Sequence, residues 1–168
     1  MNTQMKEYRD SFLTEAFNNN PNLLKAKKFI FKALVVWISS RILFSIFELT
    51  FILIRDAFSF QAILNILIIG IGILFAYGIY KGQKACVYLP LAGGVLTITN
   101  TLTNTQIQEY IQYGDILYNT YVAAILLVGL IQLVIMFIIL LNRNCKEYFK
   151  KIYNIDKSII SAKKNNII

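Results

Sequence analysis

Apolar residues along this chain fall in four long blocks, and within a block they do not recur at the spacing of a helix with one wet face. Each block approaches the roughly 20 residues that a helix needs to cross a bilayer core. The pattern predicts spans at about residues 33–54, 58–80, 85–104 and 121–141. Arg55-Asp56 and Lys81-Gly82-Gln83-Lys84 read as tight turns between them. The third block is the least apolar: it opens as ACVYLPLAGGVL and ends in Thr97, Thr99, Asn100, Thr101, Thr103 and Asn104. Such a helix belongs inside a bundle rather than against lipid. The expected fold is all-α, an antiparallel four-helix transmembrane bundle with short loops over residues 29–141.

The flanks have a different periodicity. In residues 1–28, Met5, Tyr8, Phe12, Leu13, Ala16 and Phe17 recur at helical spacing, which predicts an amphipathic surface helix ended by Asn18-Asn19-Asn20-Pro21. This polar opening lacks the basic, apolar and cleavage regions of a signal peptide. Residues 142–168 set Tyr148, Phe149, Ile152 and Tyr153 among basic residues that include Lys146, Lys150 and Lys151. That mixture predicts an amphipathic tail helix lying on an anionic inner leaflet.

Composition agrees with the blocks. The chain is 57% hydrophobic and 15% charged, against about 45–50% and 25% for soluble domains. Its net charge of +8 is not a nucleic-acid signature, because the basic residues flank apolar blocks and no recognition motif is present. Fourteen of the 17 basic residues lie in residues 1–28, 81–84 and 142–168. The longer opposite loop carries Glu109 and Asp115 and no basic residue. Positive segments stay in the cytosol, so both termini are expected there, in a multi-pass protein of the cytoplasmic membrane. Dropping the polar third span would put the most basic segment outside. The tyrosines at positions 110, 113, 118 and 121 read as an interfacial belt.

The first block carries Arg41 and Glu48. An arginine at mid-span costs about 2.5–3.5 kcal/mol on insertion scales, so such groups mark a purpose. With a rise of about 1.5 Å per residue, Arg41 lies about 12 Å and Glu48 about 22 Å from an inner edge at Ala33. They share a face with Ser45, but helical side chains lean toward the N-terminus, so each is expected to look to another helix. Asn100 and the outer-third Asn65 match Glu48 in depth, and Gln132 matches Arg41. Pro90 frees a carbonyl near Cys86 as a second acceptor for Arg41. The expected intramembrane polar network is Arg41, Ser45, Glu48, Asn65, Thr97, Asn100, Thr101, Asn104 and Gln132. Gly70, Gly72, Ala76, Gly93 and Gly94 are the expected packing positions, Gly72 and Ala76 as a small-xxx-small pair.

GIYKGQKACVYLPLAGG resembles the junction between spans two and three in a loose set of small bacterial four-span proteins, and NRNCKEYFKK resembles their ending. The resemblance covers about a quarter of the chain and implies architecture and a bacterial source, but no activity. Small multidrug transporters share four spans and a glutamate in the first. Here that glutamate lies near the outer end, and Arg41 is foreign to their pattern, so their mechanism is not carried over.

There is no histidine, and Cys86 and Cys145 stand apart. His-based triads and zinc sites are excluded, and no cofactor, metal or catalytic set is expected. The chain reads as a non-enzymatic accessory, immunity or complex-assembly subunit, working through self-association or a partner membrane protein. The alternative is a small-solute, ion or proton pathway through Glu48, Arg41 and the polar third span.

Overall fold

Local sequence sets where the helices begin and end. A computed structural model describes residues 3–54, 60–104 and 116–164, with side chains placed over 7–51, 67–104 and 116–162. Among the described residues there are six helices and no strand: α1 (Thr3–Asn19), α2 (Pro21–Ile54), α3 (Phe60–Tyr80), α4 (Ala85–Thr103), α5 (Ile116–Leu141) and α6 (Arg143–Lys164). The expected Arg55-Asp56 turn and the stretch 105–115 lie outside the described residues.

Asn20 starts α2, its side-chain Oδ1 accepting from the Asn22 N–H at 3.0 Å and its carbonyl from Leu23 at 3.1 Å. Pro21 suits the first helical position, where its missing N–H would have no partner anyway. Asn142 starts α6 in the same way, accepting from the N–H groups of Asn144 at 2.9 Å and Cys145 at 3.2 Å. At the α3 C-terminus Gly82 adopts φ +87°. Gln83 N–H donates to the Gly78 carbonyl and Gly82 N–H to that of Ile79, each at 2.9 Å. This pair of bonds ends a helix with a left-handed residue, a conformation that glycine adopts without strain.

α2 packs against α3 and α5, and α4 packs against the same two, so the four helices close into a ring. The most extensive contact is between α4 and α5. A Cβ at Gly94 would lie 2.9 Å from Leu133, and one at Gly129 would lie 3.0 Å from Ile98. Midway along α3 the approach is looser, since a Cβ at Gly72 would meet only Ile38 at 3.7 Å and one at Gly70 nothing within 4 Å, but near its end a Cβ at Gly78 would lie 2.5 Å from Cys86 Sγ on α4. Glycine on both partners lets the α4 and α5 backbones meet. The ring is apolar outside: Val36, Leu43, Ile46, Leu74, Leu96, Leu130 and Leu141 are all more than half exposed. α2, α4 and α5 are long and apolar enough to cross a membrane. An exterior this apolar is unfavourable in water and favourable in lipid.

The expected boundary between residues 28 and 29 falls inside α2. Leu23, Ala26, Ile30, Leu34 and Trp37 form one buried stripe at helical spacing across it, so the chain has no reason to break there. At 34 residues, α2 is about 51 Å long on a rise of about 1.5 Å per residue, and its first turns extend past the ring. The last apolar helix likewise starts at Ile116, earlier than the expected Tyr121. The early turns of α2 join α1 and α6 in a collar at one end of the ring.

That collar revises the reading of the tail. Its apolar residues Cys145, Tyr148, Phe149, Ile152, Ile155 and Ile159 are buried, in contacts with α1, α2 and α5. Protein rather than lipid covers this face, because α2 offers a complementary apolar stripe. Lys146, Lys150 and Lys151 stay exposed on the opposite side. The Tyr148 hydroxyl donates to the Tyr80 carbonyl at 2.6 Å, and Arg9 Nε donates to Asp156 Oδ1 at 2.7 Å. α1 turns Leu13, Ala16 and Phe17 toward this core.

Two outcomes follow from the collar. In Gly82→Ala the left-handed backbone is strained, and the new methyl would sit 2.6 Å from Ile152. The expected cost is about 2–3 kcal/mol, read as a lower unfolding midpoint in detergent and faster proteolysis of α6. Burial pushes the Cys145 thiol up to about 11 from 9.0. The folded protein therefore holds this proton more tightly than the unfolded chain does. The stabilisation is complete below pH 9 and is lost as pH rises toward 11. Melting temperature should fall more steeply over that window in the parent than in Cys145→Ala, and equal slopes would contradict a buried thiol.

Candidate functional site

Val128, Gly129, Gln132, Ile135 and Met136 share the buried face of α5. Gln132 is the polar member of that stripe and is 3% exposed. Its Oε1 accepts from Trp37 Nε1 at 3.1 Å, Arg41 Nε at 3.1 Å and Arg41 Nη2 at 2.5 Å. Its Nε2 donates to the Pro90 carbonyl. One side chain on α5 therefore fastens α2 on one side and α4 on the other. The small Gly93 makes room for it, since a Cβ there would lie 3.4 Å from Gln132 Nε2. Arg41 thus reaches the depth-matched amide, and the amide reaches the carbonyl of Pro90 itself. A bond from a charged donor to a neutral amide is stronger than one between neutral groups.

Glu48 forms a second centre farther along α2. It is 3% exposed and accepts from the Tyr121 hydroxyl at 2.7 Å. The Tyr121 ring stacks on Phe51 at a centroid distance of 4.6 Å, with Phe44 at 6.1 Å and Phe47 at 6.5 Å. Aromatic rings therefore hold the tyrosine that reaches the carboxyl. Ser45 lies between the two centres, half-buried.

The polar end of α4 is organised differently from the expected network. Thr101 is buried, but its hydroxyl donates to the Thr97 carbonyl at 2.7 Å, and Thr97 donates to Gly93 at 2.9 Å. These hydroxyls turn back on their own helix, a common use of threonine there. Asn100 is exposed. The inward face of α4 runs through Val87, Pro90, Gly94 and Thr101, and at about 100° per residue the position before Thr101 points away from it. Asn104 ends the helix with its backbone N–H on the Asn100 carbonyl at 3.1 Å. The side chain of Asn65 lies outside the described residues.

Two site residues went unnoticed in the sequence. Trp37 stands four residues before Arg41 and so shares its face, which was a usable signal. Tyr121 was read as belt aromatic, although its place at the outer start of the last span puts it level with Glu48. At the collar, Lys150 and Lys151 line a cavity of about 540 Å³ with Glu15 and Glu147. Lys146 lines another of about 420 Å³ with Lys84 and Asp156. The chain matches no family model, no curated protein and no solved structure.

Gln132→Leu removes the acceptor of Trp37 and Arg41 together with the donor to Pro90. The expected cost is about 2–3 kcal/mol. Because Arg41 loses its partner in that variant, adding Arg41→Met should cost less than it does alone, with a coupling of about 1–2 kcal/mol. Unfolding midpoints of the four proteins in mixed micelles measure this, and strictly additive costs would show that the two residues do not act together.

Proposed function

We propose that the chain is a non-enzymatic integral membrane protein of four antiparallel spans, α2 to α5, that holds a partner membrane protein or further copies of itself in the cytoplasmic membrane. In this reading it is an accessory, immunity or complex-assembly subunit. The observation that carries it is the Gln132 hub, where Arg41, Trp37, Gln132 and Pro90 use their bonding capacity on one another. Polar groups arranged in this way set helix register rather than line a route for a solute.

Four spans are supported by the collar. Arg9 on α1 pairs with Asp156 on α6, so the chain enters and leaves the ring at the same end, which requires an even number of crossings. α3 supplies the fourth, with 21 residues and no charge among them. The collar and the α3–α4 turn carry most of the basic residues, which favours the cytosol for both termini. The turn and tail that resemble small bacterial four-span proteins fit the same architecture.

One observation favours a second reading: Glu48 is a buried carboxyl on a spanning helix, the feature a proton or solute pathway needs. Gentle purification from native membranes, with every copurifying chain identified by mass, should yield a stoichiometric partner or a defined oligomer. Liposome flux should equal that of empty vesicles and be unchanged in Glu48→Gln and Arg41→Ala. A lone monomer would count against the assembly reading, and flux abolished by Glu48→Gln would establish the pathway.

A further inference from the structure

α2 and α3 diverge to leave a groove of about 340 Å³ open to the side of the ring. Leu34 is its buried floor, and Ile38, Ile73, Ala76, Tyr77 and Tyr80 are among its walls. Its lining on α2 runs from Phe31 to Ser39, about 12 Å of helix rise. The groove is almost wholly apolar, and it ends at the collar.

At that end the chemistry changes. A second cavity, of about 210 Å³, shares Tyr80 with the groove and is lined by Arg9, Asp10, Lys27, Lys81 and Tyr148. Arg9 is committed to Asp156. The Lys27 ammonium lies 4.8 Å from the Phe17 ring centroid and 5.2 Å from that of Tyr80, and Lys81 lies 5.5 Å from the Tyr77 ring. Tyr77 and Tyr80 are groove walls, so aromatic faces hold two ammonium groups where the apolar groove opens to the collar. Asp10 is the opposing carboxylate, which leaves the mouth positive.

We propose that one anionic phospholipid binds between α2 and α3, with an acyl chain in the groove and its phosphate against Lys27 and Lys81. A helix from another protein would fill the groove without placing an anion at its end, and a free phosphate would leave the groove empty. A membrane phospholipid carries both parts, joined in the order in which they are needed. The lysines recognise charge and the groove recognises the chain. The proposal rests on the placement of α2 and α3 in a bilayer.

The test uses the full chain in mixed micelles containing phosphatidylglycerol and phosphatidylcholine of identical acyl chains, with retained lipid counted by native mass spectrometry. One phosphatidylglycerol should remain per chain, in about tenfold preference over phosphatidylcholine. Lys27→Gln and Lys81→Gln should each reduce the preference about fivefold, and Asp10→Asn should increase it. Ser39→Trp should fill the groove and abolish retention of either lipid. If that variant does not fold, Val35→Trp on the same groove serves the same purpose. Millimolar inorganic phosphate should not displace the lipid. Equal retention of the two lipids, an undiminished preference in both lysine variants, an unaffected groove variant or displacement by phosphate would each overturn the proposal. An alkaline carbonate wash separates the two readings. Protein stripped from membranes by the wash removes the bilayer placement itself, whereas protein that resists the wash and retains no phosphatidylglycerol removes only the lipid site.

Discussion

The ring depends on the side-chain amide of Gln132. Where water is absent, a polar group is satisfied by protein or not at all, and an amide offers donors and acceptor sites together. Gln132 uses both kinds, its oxygen toward α2 and its nitrogen toward α4. Arg41 is tolerable at this depth because the amide oxygen lies at the end of its reach. The amide in turn fits because Gly93 and Gly94 bring α4 close to α5. Neither the cation nor the glycines explain the geometry alone. Together they set how α2, α4 and α5 stand relative to one another.

The two ends of the molecule are held by different chemistry. At the Glu48 end the Tyr121 hydroxyl meets the carboxyl and its ring stacks on Phe51, far from the basic segments. At the collar they are an apolar core, an ion pair and lysines resting on aromatic faces. The hydrophobic interior shared by α1, α6 and the early turns of α2 runs on into the ring through Trp37, Ile79 and Ile139. α2 belongs to both, which is why it is far longer than a single crossing requires.

Much of this architecture was legible in the sequence, for reasons that differ by feature. Block hydrophobicity is a local property, so the apolar helices and the turn at 81–84 could be placed, although α2 and α5 start earlier, at Pro21 and Ile116, than the blocks suggested. Depth was legible because rise per residue is constant, which sets Gln132 level with Arg41. Rotation was not. Asn100 lies at the depth of Glu48 yet points outward, because the phase of α4 is set by Val87, Pro90, Gly94 and Thr101. The periodicity of α6 was visible, but an apolar stripe looks the same whether its counterpart is a leaflet or Leu23, Ala26 and Ile30. Arg9 and Asp156 lie 147 residues apart, and nothing local relates them.

That distance bears on the order in which the protein is completed during synthesis. α1 and the first turns of α2 are made before α6, and their inward faces wait for that helix to follow α5. Until α6 emerges, the face of α2 that carries Leu23, Ala26 and Ile30 lacks one of the helices that pack against it. Joining α1 to α6 therefore closes the collar only after α5 has been made. A chain interrupted before α6 leaves apolar area on α1 and α2 uncovered, the kind of surface that drives aggregation.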